Sequence, residues 1–297
     1  RNPCGGVIRS VSASEITLLS NGDSVYVGGV ALTSTGGASV YATTDTSGNV
    51  ITEGATAANC NIMWDGSTLT LNGAKIKGDT SSEPFYMPVG IYVFDDSGNV
   101  SLKIALEGVN EIFESSHGIW VYSPDNGGNA SLSIEGGGSL NASGYQYGIL
   151  VQSNSNNATL NIQGADVEAE VTSVAGQGGG SLTATGGSNS GLGILFYGPS
   201  SPENINLTVS NNAIVRASGG IASGFDENDP VPTGGTGIVF NDKVGTVYGN
   251  VTLQDDLTVG KDESLTLAEN ASLSAGGHNV IVDGGTLGEG LAESLDD

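Results

Sequence analysis

Apolar residues recur at every second position in short runs along most of the chain, as in Leu132-Ser133-Ile134 and Leu160-Asn161-Ile162. Two is the period of a β-strand, whose successive side chains point to opposite faces. Gly, Asn, Asp and Ser separate the runs, as turns require. No stretch sustains the 3.6-residue period of a helix. The runs fall into three phrases. The first is Gly-Ile followed by alternating apolar residues, starting at Gly90, Gly118, Gly148, Gly193 and Gly237. The second is Leu69-Thr70-Leu71-Asn72-Gly73, Leu132-Ser133-Ile134-Glu135-Gly136 and Leu160-Asn161-Ile162-Gln163-Gly164, with looser copies at Leu102 and Leu207. The third is Leu140-Asn141-Ala142-Ser143-Gly144, with relatives at Leu182-Thr183-Ala184-Thr185-Gly186 and Val215-Arg216-Ala217-Ser218-Gly219.

Three short strands per about 28 to 30 residues, repeated in one order, predict an all-β fold: a single-stranded right-handed parallel β-helix. Each coil buries its inner face only by stacking on the next, about 4.8 Å away. Residues 1–65 carry strand-like runs without the repeat and are predicted to form an irregular N-terminal cap. Residues 66–290 form the helix and residues 291–297 a tail. The wider spacings after Gly148 and Gly193 place insertions near Ala175 to Gly191 and Ser223 to Gly235. A β-sandwich or an array of Ig-like modules has turns as frequent, but does not call for one phrase in one order five times.

Composition narrows the classes. Gly fills 48 of 297 positions, aromatics are 6% and charged residues 13%. The core must therefore be assembled from Val, Ile, Leu and Ala at many small sites. Eight basic against 32 acidic residues give a formal net charge of -24, which excludes an electrostatically driven nucleic-acid binder. No apolar run is long enough to span a membrane. No basic segment followed by an apolar core opens the sequence, so no secretion leader is expected within it. The start at Arg1-Asn2-Pro3-Cys4 is that expected of a mature or trimmed chain. Cys4 and Cys60 are compatible with one bridge, with a processed lipoprotein start at Cys4-Gly5-Gly6, and with two plain thiols; spacing does not choose.

Aligning the Gly-Ile phrases yields two outward columns. One is Tyr92, Trp120, Leu150, Leu195, Val239; the other is Phe94, Tyr122, Gln152, Tyr197, Asn241. Tyr92, Phe94, Trp120, Tyr122 and Tyr197 are the candidate carbohydrate-binding residues, because sugar C–H faces stack on aromatic rings. The competing reading is an apolar stripe covered by a loop, the cap or a partner. Acid pairs near turns, Asp95 with Asp96 and Asp226 with Asp229, are candidate calcium ligands; Asp255-Asp256 is a third cluster. Calcium there would let an acidic surface hold an anionic sugar. The Asn-x-Ser/Thr triplets at Asn99, Asn129, Asn141, Asn157, Asn206, Asn250 and Asn270 are read as turn residues preceding Ser/Thr-rich strands rather than glycan acceptors. No catalytic residue is assigned. His117 lacks the basic segment of a polygalacturonase, Arg216 has no acidic neighbour in sequence, and no nucleophile elbow is present. Paired carboxylates drawn from different coils leave a glycosidase geometry open.

The run Leu132-Ser133-Ile134-Glu135-Gly136-Gly137-Gly138-Ser139-Leu140-Asn141-Ala142-Ser143-Gly144, followed by Tyr147-Gly148-Ile149, resembles the pectin-lyase-like β-helix "carbohydrate-binding domain-containing" proteins of Gram-positive gut and cellulolytic bacteria. The likeness covers about residues 65 to 285, and its motifs are degenerate. It implies placement outside the cell or on its surface, binding of acidic, pectin-like polysaccharide and dependence on calcium, without established cleavage. It transfers no site residue. The partner expected is a polysaccharide or cell-surface glycan, and the alternatives are a structural adhesin or stalk and a pectin-degrading enzyme.

Overall fold

The computed structural model describes residues 24–79, 87–95, 98–124, 128–154, 157–164, 166–171, 192–197, 205–223, 235–291 and 295. Every named element in it is a β-strand, and most are paired in parallel. From Thr68 to Ser223, successive strands are assigned to three sheets in turn. Val89–Phe94, His117–Ser123, Tyr147–Ser153, Leu192–Tyr197 and Ile221–Ser223 lie side by side in the first. Thr68–Asn72, Val100–Glu107, Ala130–Gly136, Ala158–Gln163 and Ile205–Ser210 do so in the second. Lys75–Lys77, Val109–Phe113, Ser139–Gly144, Asp166–Val171 and Ala213–Ala217 do so in the third.

The register sets like on like. Ile91, Ile119, Ile149 and Ile194 are Cα partners across the first sheet, and Leu102, Leu132, Leu160 and Leu207 across the second. All belong to one buried cluster. Each such side chain contributes roughly 1.5–3 kcal/mol by leaving water. The corner between the second and third sheets repeats as well. Gly73, Gly108 and Gly164 hold φ near +60° there, and Asn211 and Asn212 take over in the last copy. This is the left-handed region, which Gly enters freely and Asn tolerates.

The triplet pattern has a structural cause. Asn129 donates its backbone N–H and its Nδ2 to Asn99 Oδ1 at 2.8 and 3.0 Å, and the Asn157 N–H reaches Asn129 Oδ1 at 3.1 Å. The next residues, Val100, Ala130 and Ala158, are buried inward. The following Ser101, Ser131 and Thr159 take the opposite face. Asn, inward residue, outward hydroxyl is the geometry that writes Asn-x-Ser/Thr here.

The N-terminal part closes the stack with antiparallel strands. Ser24–Val27 pairs with Val89–Phe94, and Val40–Thr44, Ile62–Trp64 and Thr68–Asn72 run in alternate directions. Antiparallel pairing at an edge removes the free template that an open parallel strand presents. Cys60, in this region, is disulfide-bonded; the only other cysteine, Cys4, lies outside the described residues.

Two expectations are corrected. The fifth Gly-Ile unit does not join the first four. Gly237–Asn241 pairs with Ala213–Ala217 in the third sheet, and Ile221–Ser223 takes the fifth place in the first. Nor does the repeat run unbroken to residue 290. Gly237–Asn241 turns back into Val244–Tyr248 as an antiparallel hairpin, with Asp242 at φ 53°. The chain then starts a smaller stack. Val244–Tyr248 pairs with Ser264–Leu267, Asn250–Thr252 with Ser272–Ser274, and Leu257–Val259 with Val280–Val282. Its core is separate and contains Ile238, Phe240, Val247 and Leu265, whereas Val239 belongs to the main core. The third sheet thus carries one core on each face at this end. The expected insertions, and Leu182 to Gly186, lie largely or wholly outside the described residues; Asp166–Val171 holds the third-sheet place between Ser139–Gly144 and Ala213–Ala217.

Candidate functional site

The aromatic column forms, but as packed structure. Tyr92, Trp120, Leu150 and Leu195 are register partners in an apolar cluster distinct from both cores. Tyr92 is only 2% exposed and Trp120 7%, so neither offers an open ring face; Phe94 and Tyr122 are half-buried. Ring centroids lie 5.3 Å apart for Tyr92 and Trp120, 5.4 Å for Tyr92 and Phe94, and 5.5 Å for Trp120 and Tyr122. Tyr26, from the antiparallel strand Ser24–Val27, adds a ring at 6.2 Å. The polar groups of Trp120 and Tyr122 are used inside the cluster. Trp120 Nε1 donates to Gln152 Oε1 at 3.2 Å, Gln152 Nε2 to Asn154 Oδ1 at 3.0 Å, and Asn154 Nδ2 to the Tyr122 hydroxyl at 3.0 Å. Strand alternation identifies an outward row but not whether that row is covered, and here the covered reading holds for Tyr92 and Trp120. Of Tyr197 the strand position alone is described, opposite Gln152.

His117 completes this cluster. Its ring stacks on Trp120 at 4.9 Å and meets Tyr147 at 5.2 Å. It is 3% exposed, and Nδ1 has no hydrogen-bond partner among the described residues. Burial pushes its pKa down from 6.5 to about 4, because an apolar setting penalises the imidazolium. Between those values the unfolded chain takes up a proton that the folded chain refuses. Stability is therefore complete above the unfolded pKa and falls as pH drops through the window. We expect a loss of about 3 kcal/mol from this group between neutral pH and about pH 4. Urea midpoints across the range should show a pH slope that His117→Leu reduces; an equal slope in both proteins would refute the assignment.

The acid pairs do not come together into a described metal site. Asp95 is half-buried after Val89–Phe94, while Asp96, Asp226 and Asp229 lie outside the described residues. Among the described residues, no group of three or more His, Cys, Asp or Glu side chains is placed to hold a metal. Asp256 serves structure instead: its Oδ1 accepts from the N–H of Asn279 at 2.7 Å and from Nδ2 at 3.1 Å.

A different site emerges on the third sheet. The Asp256–Glu263 segment of the smaller stack overhangs the outer face of the main one. The groove beneath has a volume of about 910 Å³. Val109, Glu111, Ser139, Asn141, Ile214 and Arg216 line its sheet side, and Thr258, Lys261 and Glu263 line the overhang. Arg216 clasps the two together. Its Nη1 reaches Glu263 Oε1 at 2.5 Å, its Nη2 donates to the Thr258 carbonyl at 2.6 Å, and its guanidinium lies 3.8 Å from the Phe240 ring centroid. Gly245 leaves the room that ring needs, since a Cβ there would stand 2.5 Å from it. The sequence concealed this site because Arg216 and Glu263 are far apart in the chain; the signal available was one arginine on an outward strand position of a very acidic protein. No family model, curated protein or solved structure matches the chain.

Proposed function

We propose that this chain is a right-handed parallel β-helix, acting outside the cell or at a bacterial surface as a binding module that holds a glycan without cleaving it. The cyclic distribution of strands to three sheets supports the winding, and right-handed crossovers are the rule between parallel strands. The disulfide at Cys60 supports an oxidising compartment. The observation carrying the binding reading is the third-sheet groove, a concave site with convergent amide, hydroxyl and charged groups where two packed units meet. Among the described residues that line it, both glutamates are engaged in ion pairs, Glu111 with Lys75 at 2.9 Å and Glu263 with Arg216, which favours holding over hydrolysis. The calcium-assisted form rests on Asp95, Asp96, Asp226 and Asp229.

The test is retention of polysaccharides on the immobilised chain, with and without chelator, combined with assays for new reducing ends and unsaturated products. Binding without cleavage is expected, and Tyr122→Ala on the first sheet should leave it unchanged. Cleavage, or binding that depends on Tyr122, would overturn this reading. A structural adhesin or stalk is the second reading. It draws on the internal use of the aromatic row and on Ile281 and Val282, 45% and 46% exposed on a strand with one paired edge among the described residues. Concentration-dependent association in sedimentation would support it.

A further inference from the structure

We infer that the third-sheet groove takes a neutral, hydroxyl-rich chain laid across the strands, and discriminates against polyanions. The inference rests on the glycan reading above and names its ligand class. Lys75, Glu111, Asn141, Glu168 and Arg216 hold one register row on five consecutive strands. Such a row runs perpendicular to the strands, one position per about 4.8 Å, so an extended ligand along it passes Glu111, Asn141 and Arg216, the members of the row that line the groove.

The charges of the groove are largely committed. Arg216 is taken by Glu263 and the Thr258 carbonyl, and Lys243 by Asp262 at 3.4 Å. Lys261 is the one groove cation without an ion pair among the described residues. Asp242 and Asp256 line the same groove, in a chain of formal net charge -24. That field repels a polyanion and leaves a neutral chain indifferent.

The remaining surface suits sugars. Ser139, Ser218 and Thr258 line the groove, and a hydroxyl both donates and accepts, as sugar hydroxyls do. Val109 is 77% exposed, the most open large hydrophobic residue described, and it provides an apolar contact for C–H faces.

The full chain is titrated by calorimetry with mixed-linkage β-glucan, arabinoxylan and galactomannan, and with polygalacturonate and dextran sulfate, at low and high salt. Ser139→Trp and Ser218→Trp fill the groove from outward positions that leave the core untouched. At least one neutral polysaccharide should bind, with little salt dependence, and lose about tenfold or more in affinity in the tryptophan variants. Tighter binding of a polyanion, or neutral binding unchanged in both variants, overturns the inference while the glycan reading stands. No binding to any polysaccharide overturns both.

Discussion

Gly118→Ala should destabilise the fold by about 3 kcal/mol or more, although it adds a single methyl group. Gly118 has an ordinary extended backbone, so left-handed geometry is not the reason. The strand His117–Ser123 enters the first sheet at a point where it touches both its neighbour and the third sheet. A Cβ at Gly118 would stand 2.5 Å from the Gly148 carbonyl oxygen and 3.2 Å from Ala142 Cβ. At Gly90 it would meet Ile112 Cγ2 and stand 2.6 Å from the Gly118 oxygen. These are ladder carbonyls and core methyls, which cannot swing aside as a surface side chain would. Hence the recurring Gly before Ile marks a close approach between sheets. Chemical denaturation should show the loss at Gly118→Ala and a far smaller one at Gly137→Ala, where added atoms meet nothing within 4 Å. Equal effects at the two positions would dismiss the close-approach argument.

The repeated part was legible because its columns are regular. Leu132 and Ile134 announce Leu160 and Ile162 by spacing and residue type, and the structure sets them in register. Legibility failed where both faces of a strand are apolar. Gly237-Ile238-Val239-Phe240 reads like the four earlier copies, yet Val239 enters one core while Ile238 and Phe240 enter another. Alternation cannot say which sheet such a strand joins. The turn signal Asn241-Asp242 between two alternating runs was the available clue to a hairpin. The site failed for a related reason. Its walls come from strands near residues 110, 140 and 215 and from a segment near 260, and only the folding back of the smaller stack brings them together. The aromatic row was found residue by residue, but burial is a property of what lies over a row, and period two carries no information about that.

The second large effect is expected at Asn110, where the repeat puts a polar residue in an apolar column. Asn110 is the register partner of Leu140, and Leu140 of Val167, so the column alone would favour Leu. Asn110 is 1% exposed, a position where an unpaired amide would be costly. It is fully engaged instead. Its Oδ1 accepts the Ala74 N–H at 2.9 Å, and its Nδ2 donates to the carbonyls of Glu107 and Ser139, each at 3.1 Å. One side chain thus ties the corner at Gly108 to the strands on either side. Asn110→Leu keeps the volume and suits the column, but it leaves the buried Ala74 N–H without its partner and takes a donor from the Ser139 carbonyl, while the Glu107 carbonyl keeps the Gly73 N–H at 3.2 Å. At about 1–3 kcal/mol for each group that finds no substitute partner, the loss should come to about 3 kcal/mol. The comparison that decides it is Asn129→Ala, in the more exposed Asn ladder, where water replaces the lost partners and about 1 kcal/mol is expected. If Asn110→Leu proved neutral or stabilising, hydrophobic burial in the column would outweigh the amide bonds, and the corner would be held by the left-handed Gly108 alone.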